Sequence, residues 1–136
     1  MRRSLFRFIW DLVDPPIEAS LILARSRHPH RVIAFARELL KDKRRWTTGV
    51  EMRKASGYET DRLDEAVAFC AAGAIRACAT TEQACNAALD SLVKVVRERH
   101  AFPDWWTPFM VISRVSDQHG HREIMEAFDE TLRRGT

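Results

Sequence analysis

Cys70, Asp117, His119 and His121 bring together a thiol, a carboxylate and two imidazoles, the components of a Cys-His-Asp nucleophilic centre. Such a centre needs a thiolate, a base within hydrogen-bond reach and a third group that orients the base. Cys70 stands in the run Phe69-Cys-Ala-Ala-Gly73-Ala, where a low dielectric raises a thiol's pKa and favours a buried structural cysteine over a nucleophile. Gly73 and its alanine neighbours fit the close approach of another helix. Asp117, His119 and His121 could instead be metal ligands. A zinc site draws further ligands from a second cluster such as Cys-x-x-Cys; here the other close histidine pair is His28-Pro-His30. The competing reading makes Asp117 or Gly120 the cap of a last helix, with Glu123 favoured in its first turn by the helix dipole. On this reading no residue is assigned as catalytic or metal-binding. No Walker loop, dinucleotide fingerprint or zinc-finger spacing occurs, and no cofactor is expected.

Aromatic residues beside cations suggest binding rather than catalysis. Trp46-Thr-Thr-Gly49 follows Lys43, Arg44 and Arg45; an indole there could stack on a base while the cations meet phosphate. The alternative is that Trp46 fixes a loop onto the fold while the cations complement the carboxyl end of the preceding helix. Trp105-Trp106, after Phe102-Pro-Asp104, forms a dense aromatic turn in which one indole is expected to face the core and the other a partner. Trp10 lies in the first apolar stretch.

Helical spacing supplies the elements that position these residues. Apolar positions recur at three and four residues in 30–42, 66–79, 84–99 and 121–134. Thr80-Thr-Glu-Gln83 predicts a capping box before the third of these, and Arg133-Arg-Gly135 a stop after the fourth. Thr107-Pro108 opens a short helix through residue 115, with a strand as the alternative because Val111, Ile112 and Val115 are β-branched. Residues 3–13 are apolar around most of a helix. Asp14-Pro15 breaks them and starts a second helix to about Arg27. No run alternates with period two, so no sheet is expected. The predicted fold is all-α: a small helical bundle over residues 30–136 with an amino-terminal helical hairpin, an interaction appendage, over residues 1–29.

Composition narrows the class of function. With 136 residues, 46% hydrophobic and 30% charged, the chain suits one domain and not a disordered segment. Residues 1–45 carry eleven Lys and Arg against five Asp and Glu, and the remainder eleven against fourteen, so a basic third precedes an acidic body. Arg2, Arg3, Arg7, Arg25, Arg27, Arg31, Lys43, Arg44 and Arg45 form that basic third, whose partner could be nucleic acid, an acidic protein face or anionic lipid. Three cysteines among apolar neighbours fit reduced, buried thiols and a cytoplasmic location.

From about Arg31 onward three motifs stand in order: Trp46-Thr-Thr-Gly49, Cys70-Ala-Ala-Gly73-Ala-Ile75, and Val115-Ser-Asp117 before a final helix. The chain resembles an uncharacterised family of small helical domains in bacteria and their phages, whose motifs run Trp-x-x-Gly, Cys-x-x-Gly-Ala-Leu/Ile and Trp-Asn-Asp. Val115 and Ser116 depart from the third. The resemblance implies a shape and no activity. The first functional expectation is a cytoplasmic protein that binds another protein or a second copy of itself. The second is nucleic-acid association through the basic third, with a membrane surface as a lesser alternative. A small enzyme with a site near Asp117 is the third.

Overall fold

The structure, a computed structural model, describes residues 23–135. Its described part has four helices and a two-stranded antiparallel sheet. Helix α1 (Pro29–Lys41) begins with proline in its first turn and buries Val32, Ile33, Ala36 and Leu40, the stripe that the spacing predicts. A 3₁₀ turn (Lys43–Arg45) leads to strand β1 (Met52–Lys54), which pairs with β2 (Ala66–Phe69) in the register Met52 opposite Phe69. Helices α2 (Ala71–Cys78), α3 (Glu82–Arg99) and α4 (Pro108–Arg134) complete the order. The core runs between α1, α3 and α4, with Ile33, Leu92, Ile112, Ile124 and Phe128 fully buried and Phe69 entering from the sheet. Each such side chain stabilises the fold by about 1.5–3 kcal/mol.

The fold is mostly helical but not the purely helical bundle expected. Residues 66–79 do not form one helix: the first four are β2, all buried. A strand buried on both faces has a continuous apolar run, which periodicity does not distinguish from a buried helix. Cys70 ends the strand with extended backbone and caps α2, its sulfur accepting the amide N–H of Gly73 at 3.3 Å. The close neighbour of Gly73 is loop backbone rather than a helix. A Cβ at Gly73 would lie 2.3 Å from the carbonyl oxygen of Glu51.

Other boundaries shift for local reasons. Thr81, not Thr80, caps α3 by accepting the N–H of Ala84 at 3.1 Å. This puts Ala84 where a capping box needs Gln or Glu. Residues 108–115 are helical, not a strand, with Thr107 as the N-cap, and their helix continues until Gly120 breaks α4 at φ 82°. The helix expected to reach Arg27 does not do so, because residues 23–28 are nonhelical. Ser26 there exchanges backbone hydrogen bonds of 2.9 Å with Cys78 and Thr80, and Arg25 donates to the carbonyls of Ala77 and Ala79. The rest of the expected hairpin, with Arg2, Arg3, Arg7 and Trp10, lies outside the described residues. Among the described residues, no helix is long and apolar enough to cross a membrane.

Candidate functional site

The three motif segments meet. Thr47 donates its N–H to Phe69 O at 2.9 Å, holding the Trp46 loop beside β2. Gly49 turns at φ 83° and gives its N–H to Asp117 Oδ1 at 3.0 Å, so the first motif is bonded to the third. Cys70 donates its N–H to Glu51 O at 2.9 Å, which bonds the second motif to the same loop. Between them lies a cleft of about 190 Å³ lined by Gly49, Glu51, Cys70, Phe109, Ser113 and Asp117, together with Val50.

The chemistry of this cleft is that of a structural junction. Burial pushes the Cys70 thiol above its ordinary pKa, and the charges of Glu51 and Asp117 push it the same way, against the pull of the Gly73 amide. No imidazole lines the cleft. His121 instead donates from Nε2 to Leu40 O at 2.6 Å and sits edge-on to Trp46, with ring centres 5.4 Å apart. His119 stacks on His100 at 4.0 Å. Asp117, His119 and His121 therefore serve three different partners, and Asp117 does not cap the last helix. Among the described residues, no group of three His, Cys, Asp or Glu side chains is placed to hold a metal ion. Cys78 and Cys85 are buried and free like Cys70, and burial pushes the Cys78 thiol up to about 12.

Trp46 is half-buried and packs on the core. Its Nε1 is buried without a hydrogen-bond partner among the described residues, as is Ser116 Oγ. Of the basic third, Arg25 is committed to backbone carbonyls, Arg44 to Asp42 and Arg45 to Val67 O, whereas Arg27, Arg31 and Lys43 are exposed.

The other aromatic region is different. Trp105 is 76% exposed. Trp106 packs on Phe102 at 5.5 Å and lies under the Arg114 guanidinium, 5.4 Å from the ring centre. Arg97 donates to the carbonyls of Pro103 and Trp106, fixing the turn that presents Trp105. Met110, in the first turn of α4, is 37% exposed.

Sequence reasoning missed Arg53, which donates to Thr47 Oγ1, Thr48 O and Gly57 O and thereby closes the loop. It also missed the Glu51–Arg76 ion pair at 2.9 Å and the clasp of Arg99 and His100 on Glu123. A charged residue in a loop looks the same in sequence whether it faces water or a carbonyl, and the three ion pairs each span more than twenty residues. The Gly49 and Gly73 motif positions were the available signal.

A protein-family model matches residues 24–134. The chain belongs to that family, a family of unknown function (DUF6197). The match covers α1 to α4 and all three motif segments, so the junction lies wholly within the DUF6197 region. No curated protein and no solved structure matches the chain.

Proposed function

We propose that this protein acts by binding another protein, or a second copy of itself, through the corner that presents Trp105. The exposure of Trp105 on a fixed turn carries this reading. Tryptophan and arginine are enriched among residues that dominate binding energy, and here Arg114 lies over the ring of Trp106, which sits edge-on to the exposed indole. A rigid turn also loses little conformational entropy on association. Free, buried cysteines suit a reducing cytoplasm.

The nucleic-acid reading draws less support, because Arg25, Arg44 and Arg45 already serve acceptors within the chain. Affinity capture from the source cells with the full chain and its Trp105→Ala variant tests the proposal. A stoichiometric protein retained at high salt and lost in the variant is expected. Nucleic acid recovered instead, and released steeply by salt through counterion exchange, would overturn it.

A further inference from the structure

Two adjoining clefts of about 380 and 370 Å³ form a groove along α3, with Arg76 and Asn86 lining both. Glu82, Asn86 and Asp90 follow at four-residue spacing on this side of α3, so they form one stripe along the groove. Thr107, Pro108 and Phe109 at the start of α4 form part of the opposite wall. Arg76 is engaged by Glu51 and by the face of Phe109 at 5.1 Å. Among the described residues, Glu82 and Asp90 make no ion pair, and both are exposed. Cys85, Leu89 and Phe109 give the groove apolar positions beside Arg76 and Asn86, and Glu82 and Asp90 make one rim acidic.

The described chain begins at the end of this groove. Arg25 and Ser26 are bonded to residues 77–80, and Ala79 and Thr80 line the first cleft. The segment that leads to this point has the complementary chemistry: residues 1–10 hold Arg2, Arg3 and Arg7, no acidic residue, and Leu5, Phe6, Phe8, Ile9 and Trp10. The intervening residues 14–24 could span up to about 36 Å, so length does not restrict access to the groove.

We infer that the groove between α2, α3 and the start of α4 is the docking site for residues 1–13 of the same chain. Its apolar positions at Cys85, Leu89 and Phe109 take their aromatic and aliphatic side chains, and Glu82 and Asp90 face their arginines. This inference is independent of the Trp105 reading.

Photo-cross-linking of the full chain carrying Phe8→p-benzoylphenylalanine tests it, using a mixture of isotopically light and heavy chains. The expected cross-links fall on residues 76–90 and 107–109 and join only chains of one isotope. Glu82→Lys with Asp90→Lys should reduce their yield about tenfold, and adding Arg3→Glu with Arg7→Glu should restore it. Glu82→Gln with Asp90→Asn gives a milder version should the reversal lower the helix content seen by circular dichroism; it should reduce the yield in the same direction. Cross-links to another surface, none to the groove, light–heavy pairs marking a second copy, or a yield indifferent to these charges would overturn the inference.

Discussion

Trp46 and Trp105 both stand in loops and have opposite fates. Trp46 lies against His121 and the core with its N–H enclosed, while Trp105 projects into solvent from a turn held by Arg97. Around Trp46, Gly49 bonds to Asp117 and Cys70 to Glu51 across long sequence separations. Around Trp105, the bonding is short-range and leaves the indole free. The comparison teaches that a recurring motif can mark where a fold is fastened, and that an exposed aromatic outside the motifs is the better pointer to a partner. On this account, substitutions at the junction act on stability and substitutions at the corner act on binding.

The sharpest way to break that division is Gly73→Ala. A methyl group 2.3 Å from Glu51 O forces β1's approach away from α2, and we expect a loss of about 3 kcal/mol or more in chemical denaturation. A small effect would mean that the junction is loose. Acid titration should follow. Hydrogen bonding to Arg99, helped by His100, holds the Glu123 carboxyl down at about 2 against an ordinary 4.5. A carboxyl with a lowered folded pKa contributes stability above its unfolded value and loses it as pH falls. Unfolding free energy should therefore decline between about pH 4.5 and 2, by no more than about 3 kcal/mol. Glu123→Gln should flatten that part of the profile.

Smaller effects refine the comparison. Asp117→Ala removes the acceptor for Gly49 N–H and should lower stability by about 1–2 kcal/mol. Ser116→Ala should be neutral or stabilising by up to about 1 kcal/mol, because it removes a fully buried hydroxyl without a partner among the described residues. Trp105→Ala should change stability by less than about 0.5 kcal/mol. Thermal and urea denaturation check all three, and a large loss at Trp105 would erase the distinction between the regions.

The helices were legible where one face is apolar and the other wet, as in α1 and α3. Residues 66–79 misled because β2 is buried on both faces, so its four apolar side chains continue the helical pattern of α2. The family resemblance named Gly49, Cys70 and Asp117 without placing them together, because their contact depends on a loop closed by Arg53, whose three acceptors carry no local signal. Asp117 or Gly120 read as the cap because such residues ahead of an amphipathic run are the usual cap pattern; the amide partner of Asp117 is instead 68 residues away, and the break in α4 falls at Gly120. The arrangement of Trp105 and Trp106 was legible as one indole in and one out, but which was which depended on the direction in which α4 leaves the turn.

The central claim is that the Trp105 corner contacts a protein. Photo-cross-linking from position 105 of the full chain, in the cells that make it, tests this most directly. The account predicts a covalent adduct to one polypeptide, formed in proportion to its abundance and absent when the photoreactive group is moved to Trp46 in the junction. Adducts only to nucleic acid, or equal adducts from both positions, would contradict it.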